Sequence, residues 1–558
     1  MINFFRSIFK SNADETQEST ITREKFNKII YHGNKLLAEK DFQGAIDVYK
    51  KALNIYPEDA IAYTNLGCAY KEIGAFEDAK IFLKEAIAIN ENIWETYYNL
   101  AHVEDALVNE KEAIKNCEIA SELLSNDEMN KKNYLETSSY LVTMYLKAQQ
   151  LDKALNRLNL ILIIDDSDFK NHCNMVIAFL EKNDNKQAIE KIKIIENIVG
   201  KTSKDYANLA IVYSLQKNII EGKKSFEKAL EIDPNDTEIS MQYSQLLLLN
   251  QEYEKGWKHY EKGLLSIKGS AQIMVDSNFF RQEFTEKKYW KGESLDNKIL
   301  LLWTEQGTGD SLMMLRYIDK IKKEKNIKLK VICEDSIKEI VKDLPGVNEV
   351  IIKPINIFNN LEFDYHCSLM SLPGIFKTTI ETIPSDFPYI FIEKEKQDIW
   401  QERLKEYKGL KIGLAWAGNK YLMSNNARSI PIKILEPLIK IEGINWFSLQ
   451  KGESAQELLL LDWPITDWSN DFHTMSDTGA LIKNLDLVIS VDTSIIHLTG
   501  ALAQHGWLLN RFASDWRWLN LGQVSPWYPT IKIFRQNKYH DWETVISLIV
   551  LELKKLID

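Results

Sequence analysis

Apolar and polar positions follow a helical period through the first half of the chain, and the pattern itself repeats every 34 residues. Small residues mark the repeat, because two helices of a hairpin can approach closely only where the side chains are short. The prolines of "YPEDA" and "DPNDT" fall at repeat ends, where a helix must stop. The pattern predicts about seven helical hairpins between residues 22 and 265. The small residues are Ala45, Ala79 and Ala113, then, after one interval of 41 that indicates an insertion, Ala154, Ala188, Gly222 and Gly256.

From Lys298 onward, short apolar runs alternate with helical stretches. The runs show little strict alternation of apolar and polar residues, which is typical of strands buried on both faces of a parallel sheet. The proline-containing stretch "ETIPSDFPYIFIEKEK" separates two groups of runs, so we predict two Rossmann-like halves that face each other across a cleft. The predicted strands are "KILLLW", "KLKVICE", "VNEVIIK", "KIGLAWAG", "NWFSLQ", "LDLVISVD", "GWLLNRF" and "IKIFRQ".

The predicted fold class is therefore multidomain, with an all-α repeat superhelix followed by an α/β region of two Rossmann-like domains. We predict a tail at 1–21, the repeat array at 22–265, a connector at 266–297, a first α/β domain at 298–395, and a second α/β domain with a closing helix at 396–558.

Composition narrows the class of partner. The chain has 558 residues and a net charge of −11, which disfavours the nucleic-acid backbone as a main partner. Its five cysteines show no C-x-x-C spacing, which favours reduced thiols in the cytoplasm. No apolar run approaches the ~18 residues that span a bilayer. The opening "MINFFRSIFK" is either a frayed terminus or a weak surface helix, so we expect at most peripheral membrane contact, at the inner face of the membrane.

The turn "EQGTGD" stands where the apolar run "KILLLW" gives way to a helix. Gly307 and Gly309 allow the backbone to approach a substrate closely, and Gln306 belongs to the same loop. Asp310 is a candidate for chemistry, because a carboxylate at the edge of a cleft can act as a general base. The alternative is that Asp310 only caps its own helix.

A second turn, "VDTSIIH", follows the strand "LDLVIS" and opens a helix directly. Asp492, Thr493 and Ser494 have short oxygen side chains that can cap free N–H groups, and the remaining N–H groups with the helix dipole form an anion site. His497, one turn into the helix, either faces the cleft or is a hydrogen-bonded core histidine. A diphosphate or a sugar hydroxyl suits this position.

Cationic residues follow the strand "KIGLAWAG" in the same half of the chain. Lys420 lies in "WAGNK", next to Asn419, and Arg428 lies in "NNARSIPI". Both cations can stabilise a departing diphosphate electrostatically. The alternative for each is a surface position or a surface ion pair.

Two resemblances to known families emerge from these motifs. The 34-residue period with "AYTNLGCAY" and "FEDAKIFLKEAI" resembles the tetratricopeptide repeat. The motifs "DTSIIHLTGAL" and "EQGTGDSLMMLRY" resemble those of bacterial heptosyltransferase-like glycosyltransferases. That resemblance spans about residues 285–545 and is closest to the branch fused to tetratricopeptide repeats, with further matches at "YWKGESL", "GLAWAGN", "RSIPI", "DWRWL" and "SPWYP".

The resemblance implies a GT-B glycosyltransferase that is inverting and needs no metal or other cofactor. The acceptor, a glycan or a protein, is expected on the first α/β domain, with Asp310 as catalytic base and Gln306, Gly307 and Gly309 as the acceptor-side loop. The nucleotide-sugar donor is expected on the second domain. The repeats are expected to recruit the acceptor or a protein partner. The implied donor-binding residues are Asn419, Lys420, Arg428, Asp492, Thr493, Ser494 and His497.

Some positions depart from the family pattern, and other readings remain open. Gln504-His505-Gly506 replaces a Gly-Lys-Pro turn, and Asn510 stands where proline is common, which leaves the donor's identity open. The Trp-rich "DWRWLNLGQVSPWYP" is either a stacking platform or core packing with an Asp515–Arg517 surface pair. The main alternative function is a non-catalytic repeat scaffold with a glycosyltransferase-like domain. A dehydrogenase is disfavoured, because "EQGTGD" lacks the full G-x-G-x-x-G and the third glycine position is Leu312.

Overall fold

The computed structural model describes residues 17–125, 128–198, 201–264, 288–353, 361–418 and 425–557. The chain divides into two compact units, residues 1–174 and 175–558, and the contacts reported below lie within one unit or the other. Three predictions concern residues outside the described ranges. They are the apolar segment at residues 1–10, most of the predicted connector, and the donor contacts of Asn419 and Lys420.

Within the described part of residues 17–264, fourteen helices follow one another, as seven hairpins require. They are α1 (Gln17–Ala38), α2 (Phe42–Leu53), α3 (Ala60–Glu72), α4 (Phe76–Ile89), α5 (Trp94–Ala106), α6 (Glu110–Leu124), α7 (Lys131–Lys147), α8 (Leu151–Ile164), α9 (Phe169–Glu181), α10 (Asn185–Asn197), α11 (Ser203–Leu215), α12 (Ile219–Ile232), α13 (Thr237–Leu249) and α14 (Tyr253–Leu264). Helix α1 begins inside the segment predicted as a tail.

The recurring small residues lie where the helices of a hairpin meet. Ala79 and Ala154 are fully buried. A Cβ atom added at Gly256 would lie 2.7 Å from Cδ2 of Leu248, on the facing helix. Aspartates begin several of the helices; the Asp59 side chain, for example, accepts a hydrogen bond from the Ala62 N–H. The sequence period therefore reflects both close helix packing and regular capping.

The first part of the α/β region forms a parallel sheet. Among the described residues its five strands are β1 (Lys288–Tyr289), β2 (Ile299–Trp303), β3 (Lys328–Cys333), β4 (Val347–Ile352) and β5 (Tyr365–Ser368), in the order β1-β5-β2-β3-β4. Every pairing in this sheet is parallel. Its short α-helices are α15 (Thr308–Met314), α16 (Ile318–Ile321), α17 (Lys338–Lys342) and α18 (Leu372–Ile375).

The second part forms a larger sheet with one antiparallel edge strand. The described strands are β6 (Leu410–Ala415), β7 (Ile444–Ser448), β8 (Ile465–Asp467), β9 (Leu487–Val491), β10 (Gly506–Asn510), β11 (Val524–Ser525) and β12 (Tyr528–Arg535), in the order β11-β12-β10-β9-β6-β7-β8. Only β11 is antiparallel among them. The helices here are α19 (Lys394–Arg403), α20 (Asn425–Arg428), α21 (Glu436–Ile439), α22 (Met475–Ile482), α23 (Ser494–Ala501) and the closing helix α24 (Trp542–Ile557).

These elements confirm the predicted fold class, an all-α repeat region followed by two Rossmann-like sheets in the GT-B manner. Each of the eight apolar runs predicted as strands overlaps one strand of the structure. The sequence pattern missed β1, β5, β8 and β11. Strand β1 begins at Lys288, inside the predicted connector, and pairs with β5. The end of that connector is therefore an edge strand of the first sheet, and the domain division otherwise stays a prediction.

The last repeat helix packs directly on the first α/β part, within the second compact unit. The indole Nε1–H of Trp257 donates a hydrogen bond to the Thr378 carbonyl oxygen at 3.2 Å. Gly374 in α18 leaves room for this contact, because a Cβ atom there would lie 3.3 Å from Cβ of Trp257. Helix α14 is thus part of the α/β core as well as the end of the repeats.

Candidate functional site

A cavity of about 1080 Å³ lies between the two sheets, at the carboxyl ends of their strands. Both motif turns line it, "EQGTGD" from the first half and "VDTS" from the second. Its polar and charged lining residues are Gln245, Gln306, Thr308, Asp310, Arg428, Gln450, Lys451, Glu453, Ser454, Thr478, Asp492, Thr493, Ser494, His497, Arg511, Asp515 and Arg517. The cavity is therefore a polar cleft with both cations and carboxylates on its walls.

The glycine–aspartate turn occupies the first wall. Gln306 has a positive φ of 59°, a left-handed conformation that costs a non-glycine residue roughly 1 kcal/mol or more. The Gly307 N–H donates a hydrogen bond to Asp310 Oδ2 at 3.1 Å, so Asp310 does cap its own helix. Its other oxygen, Oδ1, is bonded to Arg517.

Asp310 shares an arginine with a second carboxylate across the cleft. The Arg517 Nη2–H donates to Asp310 Oδ1, and the Arg517 Nη1–H donates to Asp515 Oδ1 at 2.7 Å. Arg517 is 9% exposed. Burial alone lowers its pKa, but the charges of Asp310 and Asp515 outweigh burial and raise that pKa above its ordinary value. The pair predicted to lie on the surface instead lies in the cleft wall, with Asp515 half-buried and Arg517 buried, and Arg517 bridges the two halves through Asp310.

The start of α23 forms the opposite wall. Thr493 is the N-cap, and its hydroxyl accepts a hydrogen bond from the Ile495 N–H at 3.3 Å. The Arg428 Nη1–H donates to the Asp492 carbonyl oxygen at 3.1 Å. Arg428 crosses the backbone at Gly418, where a Cβ atom would lie 2.4 Å from Nε. The strand end, the helix start and a guanidinium group therefore meet at one point.

Three guanidinium groups at this end of the cleft have donors without a protein acceptor. Nε of Arg428, Arg511 and Arg517 is buried and donates to no described residue. Neither Arg428 nor Arg511 forms an ion pair with a carboxylate of the described ranges. Burial lowers the pKa of Arg428; Asp492 opposes this effect and Arg511 adds to it. Half-buried cations that repel each other and keep free, buried donors favour an anionic ligand.

His497 lies in the floor of the cleft between the two motif turns. Its Nδ1 is 3.0 Å from the Tyr528 hydroxyl, and its Nε2 is 3.7 Å from Asp492 Oδ1. His497 is 4% exposed and packs against Trp518. Burial raises the pKa of Asp492, but hydrogen bonding with His497 and nearby positive charge outweigh it and hold that pKa below its ordinary value. The geometry is that of a hydrogen-bonded core histidine that orients Asp492.

At Gly309 the two halves approach each other closely. A Cβ atom at this position would lie 2.7 Å from Cδ2 of His497. We expect Gly309→Ala to destabilise the protein by about 1–3 kcal/mol, because neither helix can move away without disturbing its sheet. The matched control is Gly307→Ala, whose Cβ atom would contact only Asp310 Oδ2, at 3.3 Å. Thermal unfolding checks this; equal melting temperatures for the two variants would contradict it.

Glu305 begins the same turn and is almost completely buried. Ser368 Oγ–H donates to its Oε1, and its Oε2 has no partner in the described residues. Burial raises the pKa of Glu305 to about 8, and the hydrogen bond with Ser368 only partly offsets this. The carboxyl group is therefore largely neutral at pH 7 in the folded protein.

This raised pKa predicts a pH-dependent stability. Between the unfolded value of 4.5 and about 8, the folded state keeps a proton that the unfolded state releases. Stability contributed by this group is therefore lost as pH rises through this window, by up to about 1.4 kcal/mol per pH unit. Glu305→Gln should remove that slope, whereas the exposed Glu406→Gln should leave it intact. Melting temperatures at pH 5, 6, 7 and 8 check this, and parallel curves for wild type and Glu305→Gln would contradict it.

The structure gathers most of the residues singled out in the sequence. Asp310, Gln306, Gly307, Gly309, Arg428, Asp492, Thr493, Ser494 and His497 all line the one cleft. The sequence missed Lys451 and Arg511 as lining residues, and it missed Gln245, which comes from repeat helix α13. The tryptophans of the Trp-rich segment are core residues, since Trp516, Trp518 and Trp527 are at most 3% exposed. A stacking platform is therefore ruled out for these three rings.

Two observations on membrane spans and metal clusters apply to the described residues. In those ranges, no helix has both the length and the apolar character needed to cross a bilayer. Within the same ranges, no three His, Cys, Asp or Glu side chains are grouped to hold a metal ion.

The helical region contains tetratricopeptide repeats, and a two-sheet α/β region follows it. A TPR repeat model matches residues 33–74, and a tetratricopeptide repeat model matches residues 60–93 and 206–236. These repeats support a protein-interaction role for the helical region.

Known proteins resemble different parts of the chain. Protein FlbA of Caulobacter vibrioides is 24% identical over 331 residues, which are 55% of this chain and 54% of that protein. Hsp70-Hsp90 organizing protein 1 of Glycine max is 25% identical over 256 residues, 43% of this chain and 42% of that protein. The chain thus spans about half the length of these curated relatives. A solved glycosyl transferase family 9 structure from Veillonella parvula aligns with 48% of this chain and 99% of its own, at 10% identity and a TM-score of 0.38.

Proposed function

We propose that the α/β region is a glycosyltransferase that moves a sugar from a nucleotide-sugar donor to a hydroxyl group of a glycan or protein. The observation that carries this proposal is the arrangement of charge in the cleft. Three guanidinium groups with buried, free Nε donors line the cleft with the start of α23, and a carboxylate from the other half stands opposite. A cleft that binds a diphosphate on one wall and activates a hydroxyl on the other needs both features.

The donor diphosphate would bind at the start of α23. The N–H groups of that helix start and its dipole favour an anion, and Arg428 and Arg511 add forked donors that suit phosphate oxygens. Thr493 and Ser494 would add hydroxyl groups from the same turn. His497 would act indirectly, since both its ring nitrogens already face Tyr528 and Asp492. Asn419 and Lys420 remain proposed donor contacts from the sequence.

The acceptor hydroxyl would react on the Asp310 side. Its oxygen would attack the anomeric carbon as the bond from that carbon to the phosphate oxygen breaks, and the diphosphate would leave with the bonding electrons. Asp310 would take the hydroxyl proton. The positive charge at the start of α23 would stabilise the diphosphate as it gains charge, so the proposed reaction is metal-independent and inverting.

Asp310 must be released from Arg517 before it can act as the base. Arg517 is bonded to Asp310 and to Asp515, so the base is engaged before it can accept a proton. A donor phosphate competes for the same guanidinium group and can draw Arg517 away from Asp310. We therefore propose that binding of the donor releases Asp310 from Arg517.

The repeats are proposed to bring an acceptor or a protein partner to the cleft. None of the five cysteines, all of which lie in the described ranges, forms a disulfide, which suits a reducing compartment such as the cytoplasm.

The experiment that tests the function is turnover of nucleotide sugars. The full chain is incubated with a panel of nucleotide sugars, with and without EDTA, and free nucleotide is measured. We expect release of nucleotide from at least one donor, undiminished by EDTA. Absence of release from every donor, or a strict requirement for added metal, would contradict the proposal.

A second function, a non-catalytic nucleotide-binding scaffold, is favoured by one observation. Asp310 is already occupied on both oxygens, by the Gly307 N–H and by Arg517. In that case a nucleotide sugar binds and stays intact. Mass spectrometry of the bound nucleotide after a long incubation separates the two functions, since only the enzyme releases the sugar.

A further inference from the structure

We propose that the last repeat helix, α14, is a positioning element of the reaction site, acting through Tyr260 and Trp257. Tyr260 contacts the first half of the cleft, and Trp257 contacts both halves, through Thr378 and Trp516. Its effect on catalysis rests on the proposed function, whereas its effect on the geometry of the site does not.

Tyr260 holds the glycine–aspartate turn. The Gln306 Nε2–H donates a hydrogen bond to the Tyr260 hydroxyl, and Tyr260 is 2% exposed. Gln306 is the residue with positive φ in this turn, so its conformation needs support from its surroundings. Burial, together with the nearby carboxyl groups of Glu305 and Asp310, raises the pKa of Tyr260 well above its ordinary value. The hydroxyl therefore stays neutral and remains a constant partner for Gln306.

Trp257 supports Arg517, the residue that forms the ion pair with Asp310 across the cleft. The Trp257 ring packs edge-on against Trp516, with 5.5 Å between the ring centroids. The Arg517 guanidinium group lies over the same Trp516 ring, 4.4 Å from its centroid. Trp257 thus supports the surface on which Arg517 rests.

The two contacts converge on one ion pair. Tyr260 fixes the turn that contains Asp310, and Trp257 fixes the Trp516 ring on which Arg517 rests. The one helix therefore sets the distance between the Asp310 carboxylate and the Arg517 guanidinium group. Helix α13, the other half of the same hairpin, adds Gln245 to the cleft wall. The final repeat is therefore built into the site, and it is a route by which a partner bound to the repeats can alter catalysis.

The test compares two variants that each lose one buried phenol hydroxyl in the same hairpin. Tyr260→Phe removes the bond to Gln306. The matched control Tyr243→Phe removes a bond of 2.8 Å to Glu227 Oε1 within the repeats. Hydrogen–deuterium exchange of the segment 304–314 is measured for both variants. We expect Tyr260→Phe to raise exchange in this segment on the order of 10-fold, and Tyr243→Phe to leave it at the wild-type rate.

Trp257→Phe provides a second, independent measurement. This variant keeps an aromatic ring but loses the indole N–H and part of the contact with Trp516. We expect faster exchange around residues 515–518. Unchanged exchange in both segments, or equal changes in Tyr260→Phe and Tyr243→Phe, would overturn the proposal.

Sugar transfer, once a donor is known, gives the catalytic readout. Tyr260→Phe should lower kcat on the order of 10-fold with KM for the donor unchanged, because the donor wall is untouched. A rise in KM with kcat unchanged would contradict the positioning role. If no nucleotide sugar is turned over, the proposed function fails, and the exchange measurement still decides whether α14 positions the turn.

Discussion

Asp310→Asn is expected to lower the rate of sugar transfer by about 10²- to 10⁴-fold, which is the usual contribution of a general base. The substitution removes basicity but keeps the shape of the side chain. The asparagine oxygen can still accept the hydrogen bond from the Gly307 N–H, and Arg517 keeps its bond of 2.7 Å to Asp515. Nucleotide binding on the opposite wall should therefore change little. Initial rates of transfer and calorimetric titration of the same variant separate the two effects.

Asp515→Asn is the control for Asp310→Asn. It also removes one carboxylate from Arg517, but Asp515 has no assigned role as a base. We expect a smaller decrease in kcat than for Asp310→Asn, since only the orientation of Arg517 is affected. Equal losses would mean that the charge around Arg517 matters and that Asp310 is not the base.

Arg428→Ala is expected to weaken binding of a nucleoside diphosphate by about 10- to 100-fold, the range of one or two charge-assisted hydrogen bonds. The reason is its half-buried guanidinium group, which is anchored on the Asp492 carbonyl oxygen and keeps a buried, free Nε donor. When the donor concentration is below saturation, the rate of sugar transfer should fall by the same factor as the affinity. Calorimetry with the nucleoside diphosphate measures the loss directly.

Two further substitutions sharpen this result. Arg428→Lys should recover only part of the affinity, because an ammonium group keeps the charge but not the forked donors. Lys433→Ala removes an exposed cation from the same stretch of chain and should leave binding unchanged. Equal affinities for wild type and Arg428→Ala would remove Arg428 from the donor wall.

The fold could be predicted wherever local pattern decides the structure. The 34-residue period marks the hairpins because small side chains are needed at each helix contact. The buried strands appear as apolar runs because both of their faces are covered. Strand β5 escaped detection because its sequence, "YHCS", has little apolar character, although it pairs with β2 along its length. Its strand conformation depends on pairing with its neighbours in the sheet, and the local residue pattern does not indicate it.

The two motif turns of the site could be predicted for the same reason, since each is a short strand-to-helix turn with its own capping chemistry. The ion pair between Asp310 and Arg517 could not, because 207 positions separate the two residues. For the motif "DWRWL", the sequence predicts either a tryptophan platform or a surface pair of Arg517 with Asp515, whereas Arg517 lines the cleft. The contribution of α14 also depends on long-range packing, through contacts such as Trp257 with Trp516.

The most direct test of the account is calorimetric titration of the full chain with a series of nucleoside diphosphates. If the start of α23 and the guanidinium groups of Arg428 and Arg511 form a diphosphate site, at least one nucleoside diphosphate binds with a one-to-one stoichiometry. The same titration of Arg428→Ala then shows an affinity lower by at least about 10-fold. If no nucleoside diphosphate binds at concentrations up to about 1 mM, the central claim is contradicted. A dissociation constant of about 1 mM corresponds to a binding free energy of about −4 kcal/mol.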